Sequence, residues 1–383
     1  MFPEHIRFGS GVAGNVGDLI RNRFWVNRVL IVTDVGVAKA GLLAPVLSSF
    51  DAADIPFDVC DGVTANPTDD LVEIVAGKYR SDGHDLLVAV GGGSTIDTAK
   101  AAQVRITHPG HIRDYFEDGI GAKKIIANMP RLIAIPTTAG TGSEVSAVSV
   151  ITDTRDGTKK GVYSPFLRPA LAAVDPALTI GLPPPLTAAT GLDALTHCIE
   201  AYVSKAYGPI GKAIAIAGIE LIFGSLTRAY DCGDDLEART DMSMAAVMGG
   251  MAFGAGLGLG AAHALAHQLS TEYSIPHGVA NALMLPAVMM FNAERDPTPF
   301  VRIAQAMNAP GDLANAPNAA AAAIEKVREL CGRLHIPSSL QAVGVSEDRI
   351  PKMATQALRD SCHRRNPRPC TETDMRMLYR AAF

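Results

Sequence analysis

The sequence predicts two domains: an α/β domain with a parallel sheet over residues 1–182, then an all-α domain over 183–383. Three observations carry that expectation. Continuous apolar runs alternate with helical stretches in the first half, as in strands covered on both faces. From Thr187 onward the periodicity is almost wholly helical. Between the halves stands Leu182-Pro-Pro-Pro185, whose prolines forbid continuation of a helix or a central strand.

Arg28–Asp34 reads as a buried strand ending in a polar residue. Leu86–Val90 is a second and runs straight into Gly91-Gly-Gly-Ser94. Arg131–Pro136 is a third, followed by Thr137-Thr-Ala-Gly-Thr-Gly-Ser143. In open parallel sheets, ligands bind beyond the carboxyl ends of the strands, where all three polar turns fall. The second half predicts helices over 187–206, 210–229, 236–254, 259–271, 278–292 and 299–307, and a further one over Ala319–Leu334. An Ala/Asn-rich patch at 308–323 reads as an exposed connection.

Composition narrows the function. At 383 residues, 48% hydrophobic and 19% charged, the chain is an ordinary globular protein with ample core. A net charge of −5 argues against nucleic-acid or anionic-membrane partners. The six cysteines form no Cys-x-x-Cys pair, which suits reduced thiols in a cytoplasm. The first residues lack an apolar stretch of the secretory kind. Met242–Thr271 contains no charged side chain, but its six glycines and two histidines suit buried core helices better than a membrane span.

Glycines in Gly91-Gly-Gly-Ser-Thr-Ile-Asp-Thr-Ala-Lys100 let a backbone approach a phosphate, and Ser94 or Thr95 could cap the helix that follows. The spacing is not Gly-x-Gly-x-x-Gly, so the usual dinucleotide fingerprint is absent. A second hydroxyl-rich loop, Thr137–Glu144, at the same end of the sheet strengthens the reading of a pyrophosphate cradle. The two loops place Gly92, Gly93, Ser94, Asp97, Thr137, Thr138, Thr141 and Ser143 in the candidate cofactor set. Asp34, at a strand end, either accepts from a ribose diol, which favours NAD over NADP, or caps the next helix. Asn66-Pro67 reads as a turn.

The helical half carries paired ligand types. Asp193 and His197 are four apart, as are His263 and His267, so each pair shares a helix face. His277 follows a proline ten residues later. In charge-poor helices such polar groups need compensation, and a divalent metal supplies it. The spacing leaves open which of the five stays unliganded. His5, His84, His108, His111, His335 and His363 read as ordinary core or surface side chains.

Together, Gly91–Ser94, Pro136–Glu144, Ala189–His197, His263–His267 and Pro276–Ala282 resemble the iron-containing (group III) alcohol dehydrogenases over essentially the whole chain. The resemblance implies a nucleotide-binding domain followed by a metal-binding helical domain, the dehydroquinate synthase-like fold. It implies Asp193, His197, His263 and His277 as ligands of one divalent metal, iron or alternatively zinc. His267 matches the family's non-ligand histidine near the nicotinamide. There it would shuttle the alcohol proton, or orient metal or cofactor. Asp34, Asn66, Gly93, Ser94, Thr137, Thr138 and Lys159 match cofactor contacts. The lead-in Phe253–Gly260 is richer in glycine than the family pattern.

The expected activity is hydride transfer between NAD(H) and a small alcohol or carbonyl polarised by the metal. The family's members commonly form homodimers or larger homo-oligomers. A maleylacetate reductase-type enzyme is the alternative, but a dicarboxylate needs cationic anchors. Only Arg364, Arg365 and Arg368 come forward, and they suit a solvated face better.

Overall fold

The computed structural model describes residues 5–117 and 121–383. They group into two compact units. One runs up to Thr138 and from Gly142 to Ile180, and the other comprises Ala139–Thr141 and Gly181–Phe383.

The first unit is an α/β layer structure. Its strands are β1 (His5–Phe8), β2 (Val29–Asp34), β3 (Phe57–Val63), β4 (Leu86–Gly91), β5 (Arg131–Pro136), β6 (Val148–Asp153), β7 (Thr158–Tyr163) and β8 (Leu171–Val174). Six of them form a parallel sheet in the order β1-β8-β5-β4-β2-β3, while β6 and β7 make an antiparallel hairpin. Between them lie α1 (Val16–Arg21), α2 (Val35–Lys39), α3 (Ala44–Ala52), α4 (Asp69–Ser81), α5 (Gly93–Thr107) and α6 (Gly121–Lys124).

The apolar runs of β2, β4 and β5 are buried because both faces are covered. Leu30, Val32, Leu87, Ala89, Leu132 and Ala134 pack with Val72 and Val75 of α4 and Ile96 of α5. Their alternates Ile31, Val88, Val90, Ile133 and Ile135 pack with Ile20 of α1 and with Val46 and Phe50 of α3. That is the period-2 consequence of the pleat. The three expected strands are therefore present. β1, β3 and β8 lack the long apolar run that marks a strand in sequence: β3 is an edge strand carrying Asp58 and Asp61, and β8 is only Leu-Ala-Ala-Val.

The second unit is helical: α7 (Pro184–Val203), α8 (Pro209–Asp231), α9 (Leu236–Ala252), α10 (Ala261–Tyr273), α11 (His277–Arg295), α12 (Thr298–Ala306), α13 (Ala316–Arg333), α14 (Ile350–Arg359) and α15 (Glu372–Ala381). The proline run does not merely end the first part. Pro184 and Pro185 are the opening residues of α7, where a missing N–H costs nothing. The Ala/Asn-rich patch is only partly a connection. Asn315 caps α13 by accepting from the Asn318 N–H, and Ala319, Ala320 and Ala323 are buried against the core. Alanine's helix propensity outweighs the polar composition there.

The charge-free segment splits into α9, a π-helical turn over Phe253–Leu257, and α10. Gly256 at φ +95° and Gly258 at φ +69° make the break, and the two helical arms diverge by 114°. Every residue from Ala261 to Ser270 is buried. By length and composition α8 could cross a membrane, but it packs on α7 and α9 of the helical unit.

Candidate metal centre and cofactor loops

Three helices supply the ligand types. Asp193 and His197 sit one turn apart on α7, His263 lies in the first turn of α10, and His277 opens α11. A close approach sets the last of these. A Cβ on Gly278 would overlap the Ala189 carbonyl oxygen, so only glycine lets α11 start against the backbone of α7.

Asp193 Oδ1 is the point of convergence. His277 Nε2 lies 3.5 Å from it, His263 Nε2 3.6 Å and His197 Nε2 3.9 Å. Four donors at roughly 2.0–2.2 Å from one ion in tetrahedral array stand about 3.3–3.6 Å apart. His277 and His263 stand at that spacing from Asp193. One atom each of Asp193, His197 and His263 lies within 4.8 Å of the other two, so that trio suits a single dication with His277 beside it. The local hydrogen bonding fits it too. The Asn281 Nδ2 amide lies 2.8 Å from Asp193 Oδ1 and 3.2 Å from both His263 Nε2 and His277 Nε2. One amide has two hydrogens, so three converging acceptors leave the cluster short of positive charge.

Two of the imidazoles are oriented from behind through Nδ1. His197 Nδ1 donates to the Gly140 carbonyl at 3.2 Å, and His263 Nδ1 to Glu200 Oε2 at 2.6 Å. Both bonds turn Nε2 toward Asp193. Burial works against charge on His263, but the Glu200 and Asp193 carboxylates outweigh it and push it up to about 9, so a cation binding there would displace a proton from Nε2. Burial pushes His197 down to about 4, which keeps it neutral at physiological pH. Burial opposes ionisation of Asp193, but the surrounding imidazoles of His197, His277 and His263 outweigh it and hold the carboxyl well below its usual range.

His267 is held elsewhere. Its Nδ1 meets Asp360 Oδ2 at 2.7 Å, and its ring stacks on His277 at 5.1 Å between centroids. Burial opposes ionisation of Asp360, but the His267 partner outweighs it and holds the carboxyl far below the ordinary range. Gly140, Glu200, Asn281 and Asp360 were not among the expected site residues. Glu200 and Asn281 had a local signal, since they continue the faces begun by Asp193–His197 and by His277. Asp360 and Gly140 had none, being 93 and 57 residues from the imidazoles they orient.

In the first unit, Asp34, Asn66, Gly92, Gly93, Ser94, Thr137 and Thr138 gather where the adjacent strands β3, β2, β4 and β5 end. Of the two roles considered for Asp34, the structure forms the cap: Oδ1 accepts from the Val37 N–H at the start of α2, and Oδ2 meets Thr95 Oγ1 at 3.5 Å. The expected cap of α5 by Ser94 or Thr95 is not formed. Gly92 occupies the cap position without a side-chain bond, and Thr95 turns to Asp34. Asn66 is exposed at φ +54°, as a turn residue.

Asp97 and Ser143 engage each other. Asp97 accepts from Ser143 Oγ at 2.5 Å and from the Val150 N–H at 2.9 Å. Buried Lys100 donates to Ser143 Oγ and to the Ser146 carbonyl, both at 3.0 Å, bracing this loop. Lys159 lies on β7 and contributes to the field at Asp97, and Thr141 is half-buried. Arg368 is committed to Glu294 at 2.8 Å and stacks on Phe291, and Arg364 and Arg365 are exposed.

Comparison with known proteins places this architecture. Residues 3–176 match the iron-containing alcohol dehydrogenase family, and 187–383 the C-terminal domain of that family. The chain belongs to the iron-containing alcohol dehydrogenases, oxidoreductases acting on CH–OH groups. It is 39% identical over 366 residues to 4-hydroxybutyrate dehydrogenase of Cupriavidus necator, covering 93% of this chain and 92% of the relative. It is also 39% identical over 385 residues to 1,3-propanediol dehydrogenase of Citrobacter freundii, covering 100% and 98%. The solved structure of an alcohol dehydrogenase from Oenococcus oeni superposes with a TM-score of 0.96 at 34% identity, covering 100% of this chain and 99% of that one. An NADH-dependent butanol dehydrogenase from Thermotoga maritima superposes at 0.88 with 26% identity, covering 100% and 97%. Alcohol dehydrogenase and aldehyde reductase activity follows, and the maleylacetate reductase-type alternative is not favoured.

Proposed function

We propose that this enzyme is NAD-linked and holds one divalent cation, iron with zinc as the alternative, on Asp193, His197, His263 and His277. The convergence of three imidazole Nε2 atoms on one buried carboxylate oxygen, within 3.5–3.9 Å, carries the reading. When bound, the cation supplies Lewis acidity toward the substrate oxygen, and the nicotinamide supplies or accepts hydride.

The chain's own residues do the rest. Asp193 contributes the single negative charge of the ligand set and the imidazoles none, so a dication held there would keep a net positive charge toward the substrate oxygen. His267, with Nδ1–H held by Asp360, takes up the alcohol proton at Nε2 in oxidation. Backbone at Gly92, Gly93 and Ser94 and hydroxyls of Thr137, Thr138 and Thr141 bind the pyrophosphate. Asp34 and Asn66 bind the adenosine ribose side, and Lys159 adds positive charge. Asp97 and Ser143, which bond to each other, keep the second loop in shape.

The relatives' names speak of 4-hydroxybutyrate, 1,3-propanediol and lactaldehyde, which supports a short, oxygen-bearing alcohol or aldehyde as substrate. No disulfide joins cysteines among the described residues, which supports a cytoplasmic enzyme. Following the family, it works as a homodimer or larger homo-oligomer.

The test is metal analysis of the purified protein, followed by NADH oxidation with an aldehyde panel. One metal per chain is expected, with activity lost on chelation and restored by Fe2+ or Zn2+. His263→Ala is expected to lower kcat/KM on the order of a thousandfold, equivalent to about 4 kcal/mol of transition-state stabilisation. Full turnover by metal-free protein would sink the assignment.

A further inference from the structure

Glu200 lies three residues after His197 and seven after Asp193, so α7 presents all three on one face. Its carboxylate is buried and accepts three hydrogen bonds. Gly260 N–H donates to Oε2 at 2.8 Å, Ala262 N–H to Oε1 at 2.7 Å, and His263 Nδ1 to Oε2 at 2.6 Å. The first two are amides at the start of α10, a helix whose own cap position is Gly260 and lacks a side-chain bond. A remote carboxylate thus satisfies amides that the helix leaves unpaired and sits at the positive end of its dipole.

We propose that Glu200 is the positioning residue of the metal centre, fixing His263 as the Nδ1–H tautomer with Nε2 aimed at Asp193. The proposal rests on the metal-centre reading above. An imidazole bound from behind by a carboxylate is a stronger ligand than one bound by a neutral carbonyl, the partner His197 has in Gly140. Because the same carboxylate grips two α10 amides just ahead of the ligand, ring and helix start are set by one group. Capping alone does not explain the arrangement. Asn366 Oδ1 accepts from the Ala261 N–H at 3.3 Å and shares the capping of α10 through an amide.

That division of labour supplies the control. Metal-stripped wild type, Glu200→Gln, Glu200→Ala and Asn366→Ala are titrated with Zn2+ and Co2+ against a chromophoric chelator, and circular dichroism reports the fold. Glu200→Ala is expected to weaken the Kd by up to about a hundredfold and the isosteric Glu200→Gln by about tenfold. The Co2+ visible absorption spectrum of Glu200→Gln should shift, and Asn366→Ala should stay within about threefold of wild type. Should Glu200→Ala not fold, Glu200→Gln decides. Wild-type affinity and spectrum in Glu200→Gln overturn the proposal, as does an equal weakening by Asn366→Ala, which would reduce Glu200 to a helix cap. If wild type takes up neither ion, the metal-centre reading itself falls and takes this proposal with it.

Discussion

Asp34 carries an observed duty in the fold and a proposed one in nucleotide selection. One carboxylate oxygen caps α2 through the Val37 N–H, while the other faces the Thr95 hydroxyl at 3.5 Å. Two substitutions separate the duties. Asp34→Asn keeps an oxygen for the cap but removes the charge that repels a 2′-phosphate, so it should retain thermal stability while shifting the NADH-to-NADPH ratio of kcat/KM by about tenfold or more towards NADPH. Asp34→Ala should shift that ratio too and lose about 1 kcal/mol of stability with the cap. Steady-state kinetics with both nucleotides, beside thermal melts, measure the two effects. An unchanged ratio in both variants would remove Asp34 from nucleotide selection.

Elements are joined here by polar pairs at strand ends as well as by apolar layers. Asp58 on β3 binds Arg28, just before β2, and the buried His84 ring, just before β4, at 2.7 and 2.8 Å. Arg28 foremost, and His84 after it, lower the Asp58 carboxyl to about 2. Its ordinary value is 3.8, so the folded state holds the charged form more tightly than the unfolded chain does. The contribution is fully present above that ordinary value and is lost as pH falls through about 2. Urea unfolding should therefore show Asp58→Asn less stable than wild type at pH 6, with the gap holding down to about 3.8 and narrowing as the pH falls from there towards 2. A gap of constant size would mean that Asp58 acts through shape alone.

At the scale of the molecule, the ligand types come from α7, α10 and α11, all inside the helical unit. A bound cation therefore links elements separated by the π-helical break and by the turn before Pro276, and its binding energy adds to their stability. Hydrogen exchange followed with and without chelator should show faster exchange in α7, the start of α10 and the start of α11 once metal is removed. Amides of β2, β4 and β5, whose burial is by apolar side chains of the first unit, should exchange at unchanged rates. Uniform acceleration across the sheet would mean that the metal supports more than the helical unit.

Much of this architecture is legible in the order of the amino acids. The central strands announce themselves because Leu86–Val90 and its neighbours bury both faces, and the helices because their apolar residues keep a period near 3.6 over many turns. Asp193–His197 and His263 stand out as polar groups in charge-poor helices. The features that stay hidden depend on the company a residue keeps. β3 and β8 become strands by pairing with β2 and with β1 and β5, since their own residues carry weak patterns. Ala316–Arg333 is one helix because three alanines of the polar patch find a core to bury in. Residue order alone settles the layer types and the chemistry on offer, because periodicity and ligand type are properties of near neighbours along the chain. That Glu200, Asn281, Asp360 and Gly140 surround those imidazoles is settled by folding. A hydrogen bond needs two groups within about 3 Å, and the chain brings these partners together only in its folded form.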